Sequence, residues 1–172
     1  MNSTTPLFKP FPDVNIVFAS VVNKDEIYIR ERIKRFIGVQ EQVPPQYSAI
    51  KVEGKRAYQY AREGKTIEVQ PRNIEIYNIK LLEVNKENKQ IKFEVHCSKG
   101  TYIRTLCADI GAHLGCGAVM TELKRTKSGS FEIESSFEIS QLEAMDFEKR
   151  CSLLTPVEEL FSEAEAVTLP DF

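Results

Sequence analysis

Two runs of alternating apolar residues, joined by a polar turn, constrain this chain more than any other feature in it. Ile74, Ile76 and Ile79 mark the first run, over residues 73–84. Ile91, Phe93, Val95 and Cys97 share one face of the second, over residues 89–97. A period of two sends alternate side chains to opposite faces of an extended strand, so each run has one face to bury. Between them, Asn85-Lys86-Glu87-Asn88 supplies turn-forming residues, and an antiparallel hairpin is the prediction. The period then changes. Ile103, Leu106, Cys107, Ile110 and Leu114 form a stripe at helical spacing that stops at Gly115. The link Ser98-Lys99-Gly100-Thr101 makes this a strand-to-helix junction, a place where side chains project into clefts.

The flanking segments complete an α+β pattern. A loose lead with Pro6, Pro10 and Pro12 precedes an apolar run, Val14 to Val22, which reads as one strand. Asn23 and Glu26 have the spacing of a helix cap and its third residue, with Ile29, Ile33, Phe36 and Ile37 behind them and Gly38 as a stop. Residues 39–72 differ: they carry Pro44-Pro45, Gly54, Gly64, Tyr47, Tyr58, Tyr60 and many basic residues. Their apolar periodicity is weak apart from a short helical stretch around Arg56–Arg62, and they read as an exposed functional excursion. Beyond Gly115 the sequence predicts a short helix over about Val119–Lys124 and a strand near Ser130–Ile133. Two further helix starts follow, at Ser140 with Glu143 and at Thr155-Pro156-Val157-Glu158 with proline at the first helical position. The predicted fold is α+β, a mixed or antiparallel sheet flanked by helices.

Composition removes several classes of function. No apolar run approaches the roughly 18 residues that span a bilayer, so no membrane partner is expected. The first residues, Met1-Asn2-Ser3-Thr4-Thr5-Pro6, lack the basic and apolar regions of a secretory signal. Cys97, Cys107, Cys116 and Cys151 form no C-x-x-C pair, and with His96 and His113 the only histidines they predict buried free thiols in a reducing cytoplasm rather than a zinc site. No nucleophilic triad, phosphate loop or dinucleotide fingerprint is present, and no metal or cofactor is expected. The net charge of −2 hides an asymmetry: residues 1–127 hold 21 Lys and Arg against 14 Asp and Glu, whereas residues 128–172 hold 2 against 11. A basic body permits a polyanionic partner.

Within the excursion, Tyr47, Lys51, Lys55, Arg56, Arg62, Lys65 and Arg72 interleave aromatic and basic groups. That pattern suits a nucleic-acid surface, because cations neutralise phosphates and tyrosine stacks on unpaired bases. A solvated loop whose tyrosines fold back on the core fits the same composition. At the junction, Tyr102 and Arg104 could hold a nucleotide, with Lys99-Gly100-Thr101 as an anion-binding turn. Equally, Tyr102 could be a core aromatic and Arg104 the ion-pair partner of Asp109. Lys124-Arg125-Thr126-Lys127 is a compact basic patch.

Longer motifs narrow these alternatives. Pro44-Pro45-Gln46-Tyr47-Ser48-Ala49-Ile50-Lys51, then Gly54-Lys55-Arg56-Ala57-Tyr58 and Ala61-Arg62-Glu63-Gly64, resemble the P-P-x-Y-S-A-x-K … G-x-x-x-Y … A-R-x-G segment of TruB-type tRNA pseudouridine synthases. Cys97 to Gly111 resembles the C-S-K-G-T-Y-I-R-T-L-x-x-D-I-G of that family, and Leu114-Gly115-Cys116-Gly117-Ala118 with Leu123-Lys124-Arg125 resembles the stretch after it. The resemblance implies isomerisation of the T-loop uridine of tRNA, position 55, without metal or cofactor. It implies that Tyr102 lies against the flipped base, that Arg104 pairs with a nucleophilic aspartate, and that Leu123 lines the uracil pocket. Tyr47, Lys51, Lys55, Arg56, Arg62, Lys99, Lys124 and Arg125 are the implied RNA-binding residues, and residues 40–70 the implied thumb-like insertion gripping a T-stem-loop.

The family's nucleophile belongs to a G-x-L-D-P-x-A-x-G loop that this sequence does not contain; Asp13 in Pro12-Asp13-Val14 lacks its glycines and spacing. The expected organisation is thus a leader over residues 1–22, a partial catalytic domain over 23–160 and a stub over 161–172. The nucleophile would then come from a complementing N-terminal half, and a non-catalytic RNA-binding protein or self-association of the incomplete sheet is the alternative.

Overall fold

The hairpin is the middle of the observed structure. The computed structural model describes residues 13–20 and 25–160. The described residues up to 133 form one compact unit, and residues 134–160 belong to a second. In the first unit, in chain order, are β1 (Asp13–Ser20), α1 (Glu26–Ile33), β2 (Gly38–Gln42), β3 (Lys51–Val52), β4 (Lys55–Arg56), α2 (Ala57–Arg62), β5 (Arg72–Asn85), β6 (Gln90–Cys97), α3 (Ile103–His113), β7 (Val119–Ser128) and β8 (Phe131–Glu132). The main sheet has the order β2-β5-β6-β1-β7-β8, with every neighbouring pair antiparallel. The α+β architecture expected from the sequence is the one observed.

Strand β6 buries every second residue without exception, and Ile91, Phe93, Val95 and Cys97 are 1% exposed or less. Ile74, Ile76, Ile79 and Leu81 of β5 meet them across the hairpin, at a register pairing Leu81 with Phe93 and Ile76 with Cys97. Helices α1 and α3 cover this face: Ile29 and Ile33 of α1, and Ile103, Leu106, Cys107 and Ile110 of α3, join the same core. Each large side chain removed from water in this way contributes about 1.5–3 kcal/mol before conformational entropy is subtracted. Phe36 stacks edge-on against His113 at 5.7 Å, tying the end of α1 to the end of α3.

Glycine governs how α3 ends. Gly115 adopts φ +71° just past the helix, as its stop position requires. Gly111 acts differently. A Cβ built there would lie 2.1 Å from the backbone nitrogen of Ala118 and 2.3 Å from the carbonyl carbon of Gly117, so the chain returning to β7 passes where a side chain would be. The amides of Cys116 and Gly117 both donate to the Gly111 carbonyl, fixing that return.

Several expectations are corrected. Asp25 caps α1 through a 3.1 Å bond from the Ile27 amide; Asn23, the expected cap, lies outside the described residues. The helix ends at Ile33 in a single 3-10 turn, Lys34–Phe36, and Ile37 is already extended, so Gly38 opens β2 at φ +115° instead of closing a helix. Residues 38–42 pair with β5 and belong to the sheet, so the excursion is narrower than residues 39–72. Residues 119–128 form strand β7, not a short helix, because pairing with β1 along its length, from Ser20 opposite Val119 to Asp13 opposite Ser128, overrides the helical propensity of Met120, Glu122, Leu123 and Lys124. Strand β1 lies between β6 and β7, inside the segment the sequence sets apart as a leader; residues 1–12 and 161–172 lie outside the described residues.

In the second unit, α4 (Ile139–Glu143), α5 (Phe147–Ser152) and α6 (Val157–Leu160) follow one another. Glu138, not Ser140, caps α4: its amide donates to Gln141 Oε1 at 2.8 Å. Helix α5, absent from the sequence reading, is capped by Asp146, which accepts from the Lys149 amide at 2.7 Å. Pro156 immediately precedes α6. No helix among the described residues is long and apolar enough to cross a membrane.

Candidate nucleic-acid interface

The junction between β6 and α3 is built by Ser98. Its amide donates to the Glu75 carbonyl at 2.8 Å and its Oγ accepts from the Glu75 amide at 2.9 Å, so the turn is pinned to β5. Thr101 closes the turn with its hydroxyl on the Ser98 carbonyl at 2.8 Å, and Gly100 takes φ +87°, a conformation costly for any other residue. Lys99 stands exposed on this turn. Tyr102 then occupies the cap position of α3 and makes no side-chain capping bond of its own.

Gln42 completes the cap, and the sequence reading did not single it out. Gln42 is 4% exposed; its Oε1 accepts from the Tyr102 amide at 2.8 Å and its Nε2 donates to the Tyr102 carbonyl at 3.1 Å. One side-chain amide therefore engages both backbone groups of Tyr102, whose carbonyl also accepts from the Leu106 amide at 3.0 Å. A second bond lies close by in sequence: Arg104 Nη2 donates to the Tyr47 carbonyl at 2.9 Å. Arg104 is not paired with Asp109, since residues five apart on a helix face different directions. Among the described residues no carboxylate lies within ion-pair distance of Arg104. Desolvation pushes the Asp109 carboxyl above its ordinary value.

The excursion leaves the sheet at Gln42 and returns at Arg72, and these two residues are register partners in β2 and β5. Between them, β3 and β4 pair Lys51 with Arg56 and Val52 with Lys55. Like charges directly opposite each other cost stability, and neither Lys51 nor Arg56 has a carboxylate within ion-pair distance among the described residues. The other basic groups are engaged. Lys55 pairs with Glu63 and sits 4.9 Å from the Tyr60 ring centre, Lys65 reaches Glu63 at 3.3 Å, and Arg62 covers Tyr58 at 5.3 Å. The two lysines hold the Glu63 carboxyl below its usual range. Tyr60 donates to the Val52 carbonyl at 3.4 Å, whereas Tyr47 is 58% exposed and presents its ring outward. Ser48 is buried, and its hydroxyl has no hydrogen-bond partner among the described residues.

The structure thus joins Tyr47, Tyr102 and Arg104, and gathers Lys51, Lys55, Arg56 and Arg62 on the excursion. Leu123, 43% exposed, Lys124 and Arg125 stand on β7 opposite Val17, Ile16 and Asn15 of β1. No group of three or more His, Cys, Asp or Glu side chains among the described residues could hold a metal ion.

Comparison with known proteins gives this arrangement a family. Residues 13–103 match the TruB family pseudouridylate synthase N-terminal domain, and residues 104–162 match the tRNA pseudouridylate synthase B C-terminal domain. The chain is 43% identical over 148 residues to tRNA pseudouridine synthase B of Francisella tularensis subsp. tularensis (strain WY96-3418), covering 84% of this chain and 48% of that protein. It is 46% identical over 134 residues to the protein of the same name from Francisella philomiragia subsp. philomiragia, covering 78% and 44%. The chain spans about half the length of the curated relatives it matches. Among solved structures, one described as a Cbf5-Nop10-Gar1 complex aligns with a TM-score of 0.68 at 27% identity, covering 89% of this chain and 44% of that one. An H/ACA RNP bound to a substrate RNA containing 2'-deoxyuridine shares the fold at a TM-score of 0.60 and 24% identity, covering 83% and 39%. With one family model spanning residues 13–103 and the next continuing from residue 104, this chain belongs to the TruB family of pseudouridylate synthases.

Proposed function

We propose that this chain grips the T-stem-loop of a tRNA and presents the uridine at position 55 for isomerisation to pseudouridine in the cytoplasm. The observation that carries this reading is the union of Tyr102 and Arg104 with a basic excursion through Gln42 and Tyr47. An enzyme that acts on a base must first extrude it from its loop, and an aromatic ring offsets part of the lost stacking. Tyr102 takes that role, and Leu123 lines the uracil pocket. Lys51 and Arg56, opposed without a counter-ion among the described residues, acquire one when phosphates arrive, and Tyr47, Lys55, Arg62, Lys99, Lys124 and Arg125 extend the contact. Residues 40–70 act as the thumb.

Arg104 keeps a nucleophilic carboxylate ionised and oriented. No carboxylate of this sequence stands in the family's G-x-L-D-P context, so a complementing N-terminal half supplies it and the chain alone does not turn over. The test is tritium release from uracil-labelled tRNA transcript, with the chain alone and with the N-terminal half of a family member added. Release only in the mixture is the expected result; release by the chain alone overturns the missing-carboxylate reading. Affinity for a T-stem-loop should fall steeply with salt, and salt-independent binding sinks the RNA reading altogether. A second reading, RNA binding without catalysis, is favoured by one observation: Arg104 is engaged by a backbone carbonyl rather than a carboxylate. Salt-sensitive binding with no release even in the mixture would establish it.

A further inference from the structure

Residues 42–47 form a strap whose two ends are bonded to the start of α3. At one end the Gln42 amide takes both backbone groups of Tyr102; at the other the Tyr47 carbonyl takes Arg104. Pro44-Pro45 lies between the two ends, and proline fixes φ and limits how far the strap can flex. On the helix side, Tyr102 and Arg104 flank Ile103, which is itself in the core. Gln42 also ends β2, so the strap begins on the sheet. Gln42 is buried, and the Tyr102 carbonyl also accepts from the Leu106 amide at 3.0 Å, so removing the glutamine leaves the Tyr102 amide as the group that loses its partner.

We infer that Gln42 is a positioning residue: from the end of β2 it fixes the backbone of Tyr102, and so makes presentation of the Tyr102 ring depend on the point where the excursion leaves the sheet. This rests on the tRNA reading for its purpose, but the mechanical link does not. A pull on the excursion reaches the start of α3 through the Tyr47–Arg104 bond, while Gln42, paired opposite Arg72 in the sheet, holds the Tyr102 backbone against it.

Two variants of the full chain test this. Gln42→Met keeps the side-chain volume and removes both bonds; Gln42→Glu keeps an acceptor for the Tyr102 amide and loses the donor to its carbonyl. Amide hydrogen exchange followed by NMR reads the link. With Gln42→Met the Tyr102 amide should exchange about tenfold faster or more, while that of Phe93 in the sheet core is unchanged; Gln42→Glu should fall between. Unchanged exchange at Tyr102 in both variants overturns the inference. So does parallel acceleration at Phe93 in both, which would make Gln42 a support of the whole fold.

A second measurement reads the consequence: affinity for a T-stem-loop carrying uridine against one abasic at that position. The native chain should prefer uridine, and Gln42→Met should lose that preference while keeping the same salt dependence. Retained preference in Gln42→Met overturns the dependence of Tyr102 on Gln42. If the native chain binds neither RNA, the tRNA reading fails, and the exchange result still decides whether Gln42 holds Tyr102.

Discussion

The hairpin with α1 and α3 and the segment over residues 134–160 use the same local chemistry and reach opposite outcomes. Both contain helices begun by side-chain or backbone caps, Asp25 in one and Glu138 and Asp146 in the other. In the first, capped helices also carry an apolar stripe, and Ile29, Ile33, Leu106, Cys107 and Ile110 are buried against β5 and β6. In the second no described side chain is buried: Ile139, Phe147 and Leu154 are about three-quarters exposed, at 75%, 75% and 74%. A cap decides where a helix starts. Burial decides whether it contributes to stability, since helices this short are marginal in water on their own.

The largest test of that contrast is a pair of truncations. Phe93→Ala should cost about 3–5 kcal/mol in chemical denaturation, as for other buried aromatics. Phe147→Ala should stay within about 0.5 kcal/mol. Equal costs would break the comparison, because they would mean that Phe147 is packed. Next in size is Gly111→Ala, a change usually favourable in a helix. Here the new methyl meets the backbone of Gly117 and Ala118, so a loss of about 1–3 kcal/mol is expected in the same assay. A stabilised variant would show that the turn into β7 yields freely.

Thiol chemistry sharpens the contrast further. Burial pushes the Cys107 thiol up to about 12, and Cys97 is likewise buried, whereas Cys151 on α5 is exposed. Alkylation of the native protein followed by peptide mapping should label Cys151 at least about 100-fold faster than Cys97 or Cys107, because the buried thiols wait for unfolding. Comparable rates would reveal an opening of α3 that the packing argues against.

The smallest effect concerns a cost carried by α3 itself. Asp109 has its folded pKa raised by desolvation, so its charged form is disfavoured on folding. At about pH 3 the group is protonated in both states and no penalty exists; the penalty appears as pH rises through the folded pKa. Asp109→Asn should therefore raise Tm slightly at pH 7 and leave it unchanged at about pH 3. An equal gain at both pH values would assign the effect to something other than ionisation.

These contrasts also explain what was legible in the sequence. The hairpin and α3 were readable because their periods, two and then 3.6, record burial on one face, and Gly115 marks the stop through its backbone alone. Strand β7 was misread because its identity comes from the partner strand β1, while its own residues carry Val119 and Leu123 at helical spacing. The caps of α1 and α4 were misplaced by two residues, since Ser, Asn, Asp and Glu near a helix start all offer an acceptor and only geometry selects one. Tyr47, Tyr102 and Arg104 could be named from motifs. Gln42 could not be assigned a role, because its bonds reach Tyr102 sixty positions away and no local pattern encodes such a pairing.

Gln42 and Arg72 face each other across β2 and β5, so the intervening chain departs and returns through a single doorway in the sheet. A segment attached that way is a removable part. Its length and its charges can be altered without any strand of the six-stranded sheet losing its neighbour, and that sheet sees only the hinge. Only the strap resists such exchange. Any replacement that keeps the doorway but drops the glutamine would leave the tool mounted and the adjoining tyrosine adrift.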